Sequence, residues 1–250
     1  MNISSVEYPT EPGAIDLREL KKHLKKDNPL ILEVGANTGQ STSEFLQVFP
    51  NPRIFCFEPE PRAIEIFKRN IHSPAVTLHE IAIGSYNGDI TFNQSSGKNG
   101  YENWNQSGSI RTPKQHTKIW PDVTFQTQIE VPIMRLDDWA AQNQIEGADF
   151  IWADVQGAEG DLIIGAKNLL SYTKFFYTEY GFSELYEGQL SLDQVCEALF
   201  DSGHVLWRKF GMDALFVNRN LVDLNEINFP IKRQSSCPCG SGKLYEKCHG

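Results

Sequence analysis

From Pro29 onward, short apolar runs alternate with amphipathic stretches, and that alternation most narrows the folds open to this chain. Strands separated by helices pair in parallel through right-handed crossovers, giving an α/β sheet. Strand patterns occupy residues 30–34, 53–57, 76–82, 150–154 and 175–180, and helical periods fill 41–48, 61–71, 136–143, 158–170 and 192–202. After the last helix, two strand patterns at 204–210 and 213–217 are separated only by Gly211 and Met212, a two-residue hairpin connection. The expected architecture is a Rossmann-like, mostly parallel sheet of seven strands closed by an antiparallel C-terminal hairpin.

The first unit of this series carries the chemistry. The strand and turn Ile31 to Gln40, ILEVGANTGQ, are followed one short helix later by a second apolar strand, RIFCFEPEP, that runs out onto Glu58. Glycines at 35 and 39 suit a tight turn that backbone or ligand approaches closely, and an acid about twenty residues on is placed for two ribose hydroxyls. The dinucleotide fingerprint needs glycine at the first, third and sixth turn positions, whereas Asn37 and Gln40 hold the third and sixth. A ligand with a ribose, no pyrophosphate and an amino-acid end is S-adenosylmethionine. The candidate donor-binding residues are therefore Glu33, Gly35, Asn37, Gly39, Gln40, Glu58 and Pro59, with Ala82 as a small wall beside the adenine.

In open α/β sheets ligands sit beyond the carboxyl ends of the strands, so strand-terminal acids come next. Asp154 follows the strand FIWA, and Glu179 ends FFYTE. Both are catalytic candidates, one to hold the donor's amino group and the other to accept the proton of an attacking hydroxyl; Asp154 belongs to the binding set as well. An aliphatic hydroxyl is a poor nucleophile at neutral pH, so O-methylation needs such a base or a metal. The competing role for Asp154 is a cap on the following helix. His79 and His204 read as structural, and His116 as a base only if the loop bearing it reaches the pocket. Asp154 is followed by Val-Gln-Gly, not Asn-Pro-Pro-Tyr, which disfavours amino methylation of bases or glutamine.

Residues 94–125 break the rhythm with Gly, Asn, Ser and Pro and with aromatics at Tyr101, Trp104 and Trp120. A loop that long inside a compact domain is functional or unstructured; here the two readings are a substrate lid and a loose insertion, flanked by extra strands at 85–92 and 127–133. The whole divides into a leading segment and helix (1–28), a donor-binding domain (29–220), a linker (221–234) and a distinct tail (235–250). In the tail, Cys237, Cys239, Cys248 and His249 offer four soft or borderline donors, the set that tetrahedral zinc uses in structural sites. So short a segment draws its folding energy from the metal. Cys56 and Cys196 lie in apolar patterns and read as buried fillers.

A net charge of −9 argues against a polyanionic partner held by bulk electrostatics, so nucleic acid is not expected. No apolar run reaches the ~20 residues of a membrane span, and the N-terminal stretch has no leader pattern, so a cytoplasmic protein is expected.

Together, ILEVGANTGQSTSEF, CFEPEPRAIE, AIGSYNGDITF, VPIMRLDDW and ADVQGAEGDLIIGA resemble the FkbM family of S-adenosylmethionine-dependent class I methyltransferases over about residues 29 to 218. The resemblance implies O-methylation of a hydroxyl on a sugar or polyketide-like small molecule, with Glu33, Gly35, Asn37 and Gly39 at the methionine end and Glu58 at the ribose. Many members carry Asp-x-Glu-Gly-x-Glu where this chain has Asp154 to Glu159 with a neutral Gln156. The tail is similar to the SEC-C zinc motif that ends the export ATPase SecA, which implies a docking module for a protein partner. A protein or peptide acceptor, and a binding module whose tail is the functional end, are the alternative readings.

Overall fold

A computed structural model describes residues 10–100 and 102–227; Tyr101 and the Cys/His tail lie outside the described residues. The strands are β1 (Thr10–Glu11), β2 (Leu30–Val34), β3 (Arg53–Phe57), β4 (Val76–His79), β5 (Ala82–Ile83), β6 (Gly88–Gly97), β7 (Val123–Met134), β8 (Phe150–Ala153), β9 (Phe175–Glu179), β10 (His204–Phe210) and β11 (Asp213–Asn218). The helices are α1 (Leu17–Leu24), α2 (Gln40–Val48), α3 (Pro61–Asn70), α4 (His116–Ile119), α5 (Leu136–Gln142), α6 (Glu159–Gly165), α7 (Lys167–Ser171) and α8 (Leu192–Leu199).

The main sheet runs β1-β10-β11-β9-β8-β2-β3-β4. Every ladder in it is parallel except the two made by β11, which pairs antiparallel with both β10 and β9. The parallel strands are apolar runs because both faces are covered. Alternate residues divide between two cores: Leu32, Phe55 and Ile151 pack with Trp139, Leu162 and Val195 on one face. Ile31, Ile54 and Phe150 pack with Leu20, Phe45 and Phe67 on the other.

The sheet has eight strands among the described residues, not seven, because Thr10–Glu11 adds a short parallel edge to β10. The run at 76–82 is also two elements. β4 ends at His79, whose carbonyl accepts from Glu58 N, and the chain then leaves the main sheet so that Ala82 and Ile83 pair with β7. There, β5, β7 and β6 form a second sheet, and the antiparallel β6–β7 ribbon carries residues 98–122 at its end. The helix expected over 158–170 breaks at Ala166. A β-carbon on Gly165 would stand 1.9 Å from the Gly84 carbonyl oxygen, so the helix presses onto the β5 loop at the one residue that permits it. Among the described residues no helix is long and apolar enough to cross a membrane.

Candidate active site

Beyond the carboxyl ends of β2, β3 and β8 lies a cleft of about 170 Å³, bounded by the turn after β2, by Glu58 and Pro59, by Ala82, and by Asp154 and Gln156. Its turn is built by the protein's own packing. Gly35 (φ +86) stands against strand β8, where a β-carbon would fall 1.8 Å from the Asp154 carbonyl oxygen. Gly39 (φ +84) caps α2, and its β-carbon would meet the Ile71 side chain at 2.6 Å. The turn glycines thus answer to neighbouring backbone and side chain; Gly35 also lines the cleft, while Gly39 does not.

Asn37, in a left-handed conformation (φ +44), donates its backbone N–H to Glu58 Oε2 at 2.7 Å, and Glu60 N donates to Glu58 Oε1 at 2.8 Å. Glu58 is 5% exposed, and burial, assisted by the Glu60 and Asp154 charges, outweighs these donors and pushes its carboxyl up to about 7. Glu33 does not line the cleft. Its side chain falls on the opposite face of β2, under α2, where Thr42 Oγ1 donates to its Oε2 at 2.5 Å. Burial raises that carboxyl to about 8. Gln40, Pro59 and Ala82 do border the cleft, Ala82 from the second sheet.

Asp154 and Glu179 come together. Gln156 Nε2 donates to Asp154 Oδ1 at 2.7 Å and to Glu179 Oε2 at 3.3 Å, so one amide spans both carboxylates. Its Oε1 accepts from the Tyr186 hydroxyl at 3.1 Å, and its own backbone is left-handed at φ +51. The Asp154 charge, with burial and with Glu159 and Asp213 adding to it, holds the Glu179 carboxyl well above the usual range; Asp154 is raised by burial. Asp154 does not cap α6, whose N-cap Ala158 has no side-chain cap, so the helix-cap alternative is set aside. Glu159, 1% exposed, has one oxygen without a hydrogen-bond partner and is raised by burial to about 7.

The segment 98–122 folds back over these groups. Asn37 Nδ2 donates to the Asn105 carbonyl at 3.1 Å, the Ser109 hydroxyl to the Gln156 carbonyl at 2.7 Å, and the Tyr186 hydroxyl to the Ser107 carbonyl at 2.8 Å. Arg111 closes the latch on Asp161 with Nε at 2.6 Å. Beneath it a second cavity of about 490 Å³ shares Gln106, Asp154 and Gln156 with the first. His116 lines this second cavity; His79 is packed against Phe57 and accepts from Trp139 Nε1, and His204 is buried beside Ser202. Cys56 and Cys196 are buried free thiols, in keeping with their apolar patterns.

Sequence reading passed over Gln106, Ser107 and Tyr186. Nothing periodic marks them, and only the latch across two elements brings them to Asp154. Among the described residues no group of three or more His, Cys, Asp or Glu is placed to hold a metal ion, and the tail donors lie outside them.

A doubly covered, mostly parallel sheet with one antiparallel strand, β11, inserted between β9 and β10, bearing an acid-lined cleft at the carboxyl ends of its strands, defines a class I methyltransferase. The chain belongs to the FkbM methyltransferase family: the profile described as "Methyltransferase FkbM domain" matches residues 33–208. A second profile, the SEC-C motif, matches residues 235–250. The chain is 44% identical over 183 residues to the 2-O-methyltransferase NoeI of Sinorhizobium fredii, covering 73% of this chain and 75% of that protein. Among solved structures, Aeropyrum pernix fibrillarin with bound S-adenosyl-L-methionine aligns with 13% identity and a TM-score of 0.43, over 77% of this chain and 66% of that one. Human methyltransferase-like protein 13 aligns with 14% identity and a TM-score of 0.42, over 80% and 76%. Both are distant likenesses. The chain is a methyltransferase of this family.

Proposed function

We propose that the protein transfers a methyl group from S-adenosylmethionine to a hydroxyl of a sugar or natural-product small molecule. The observation that carries the donor is the charge of the first cleft: among the described residues its ionisable lining is Glu58 and Asp154, with no Lys, Arg or His. Such walls disfavour a pyrophosphate and suit a cationic sulfonium and ammonium. Buried Glu58, anchored by two backbone N–H groups, retains lone pairs for two ribose hydroxyls. Gly35, Asn37 and Gln40 form the methionine end, and Pro59 and Ala82 flank the base; Glu33 acts through Thr42 on the start of α2.

When bound, S-adenosylmethionine supplies an electrophilic methyl on a positively charged sulfur. The Asp154–Glu179 pair accepts the hydroxyl proton as the O–C bond forms and the S–C bond breaks, leaving a neutral thioether. Repulsion within the pair raises its basicity toward working pH, where a general base is most effective. Gln156 fixes both carboxylates in place while positioning of the two reactants supplies the larger part of the acceleration. The resemblance of the relative 2-O-methyltransferase supports the hydroxyl acceptor.

The tail residues Cys237, Cys239, Cys248 and His249 form the donor set of a structural zinc, three thiolates and one imidazole with no open position, and the resulting knuckle docks a protein partner. Calorimetric titration of S-adenosylmethionine tests the donor reading. Glu58→Ala is expected to weaken binding about 10- to 100-fold, the loss of hydrogen bonds to a charged acceptor; equal affinity for the two proteins removes the ribose assignment.

A further inference from the structure

The second cavity has chemistry that the donor does not use. Its walls are aromatic, from Trp104, Trp120, Tyr186 and the His116 ring. Trp120, 40% exposed, lies beside His116 with ring centroids 4.7 Å apart, and neighbouring Ile119 is 49% exposed. The polar groups inside are acids and amides: Asp122, Asp154, Glu179, Gln106 and Gln156. Among the described residues no Lys or Arg lines it. His116 is only 4% exposed, its Nδ1 has no hydrogen-bond partner, and burial holds the ring neutral with a pKa near about 4.

Taking the methyltransferase reading above as its basis, we propose that this cavity is the acceptor site and that it takes an uncharged, polyhydroxylated ring, a neutral glycosyl unit stacked on Trp120 with one hydroxyl delivered to Asp154. The two faces of such a ring fit the two kinds of wall. Its C–H bonds lie against an indole, and its hydroxyls donate to carboxylates and to amide oxygens. Asp154, Gln156 and Gln106 belong to both cavities, so the bound hydroxyl arrives where the donor's methyl end is bounded. An anionic substituent is excluded: a carboxylate or phosphate would face Asp122, Asp154 and Glu179, backed by Glu159 and Asp213, with no cation among the described lining residues. The insertion therefore sets acceptor specificity through charge as well as shape.

The test uses the full-length chain saturated with S-adenosylhomocysteine, whose own affinity is measured by calorimetry. Saturation-transfer NMR then compares neutral methyl hexosides, the corresponding methyl hexuronosides, hexose 6-phosphates and catechol. Neutral hexosides are expected to receive saturation and the two anionic classes to bind about tenfold more weakly or not at all. Trp120→Ala is expected to weaken the hexosides about tenfold, the loss of one stacking contact, with S-adenosylhomocysteine affinity and circular dichroism unchanged. Glu179→Gln is expected to narrow the gap between hexuronoside and hexoside. Equal binding of anionic and neutral rings, preference for catechol, absence of any hexoside signal, or indifference to Trp120→Ala each overturns the acceptor assignment while leaving the donor site intact. Failure of the wild type to bind S-adenosylhomocysteine overturns the underlying methyltransferase reading instead.

Discussion

Buried carboxylates dominate the behaviour of individual residues here. Glu33, Glu58 and Glu159 have folded-state pKa values near about 8, 7 and 7, above the ordinary glutamate value of 4.5. For a raised carboxyl the folded state binds the proton more tightly. Its contribution to stability is full below the unfolded pKa and is lost as pH climbs through the folded one, by up to about 1.4 kcal/mol per pH unit for each group. The protein without ligand is therefore expected to melt at progressively lower temperature between about pH 5 and pH 8. Glu33→Gln keeps an acceptor for the Thr42 hydroxyl and removes the charge, so its melting temperature should fall less steeply over that range, as calorimetric scans at several pH values will report. Profiles parallel to wild type would mean that Glu33 is not the titrating group. Asp154→Asn tests the acid pair in a different way: with the neighbouring charge gone, Glu179 ionises at lower pH, and a carboxyl-carbon NMR titration should show its midpoint moving down. An unmoved midpoint would place the cause in burial and in the Glu159 and Asp213 charges.

The turn between β2 and α2 shows how one element serves fold and site together. Gly35 and Gly39 both have positive φ, yet their neighbours differ in how far they yield. Gly35→Ala drives a β-carbon into strand backbone, with a loss of stability on the order of 3 kcal/mol expected from strain plus overpacking. Gly39→Ala meets side chains, Ile71 at its Cγ1 and the Phe67 ring, and not backbone, so it should cost about 1–2 kcal/mol. Urea unfolding of the wild type and the two variants distinguishes these cases; equal losses at both glycines would show that backbone conformation, not contact, sets the cost. Glycine was readable in the sequence as a demand for close approach, but what approaches was not. The partners, the Asp154 carbonyl and the Ile71 side chain, lie 119 and 32 residues away along the chain.

At the scale of the molecule, a methyltransferase domain is followed by a tail of different chemistry. If zinc supplies the tail's folding energy, stripping it with a strong chelator should change the tail and leave the domain's melting temperature where it was. Native mass spectrometry of the intact chain is expected to show zinc in equimolar amount, absent after chelation and absent in Cys248→Ser. Metal retained by Cys248→Ser would refute that ligand set. Among the described residues the domain is held by two cores, one on each face of the sheet.

What the sequence determined alone is the alternation of strands and helices that builds the main sheet from β2 to β11, the turn after β2 and the acids at the strand ends. These are legible because periodicity, turn chemistry and the apolar character of doubly covered strands are local properties. The short edge strand β1 escaped because two residues carry no period, and the helix break at Ala166 escaped because the adjoining Gly165 packs on a distant carbonyl. The tertiary structure alone decided that Glu33 turns away from the cleft, that Gln156 joins Asp154 to Glu179, and that the insertion closes over them. Side-chain direction and long-range hydrogen bonds are fixed only when separate elements pack, and a polar, aperiodic loop has no other source of order than the surface it lands on.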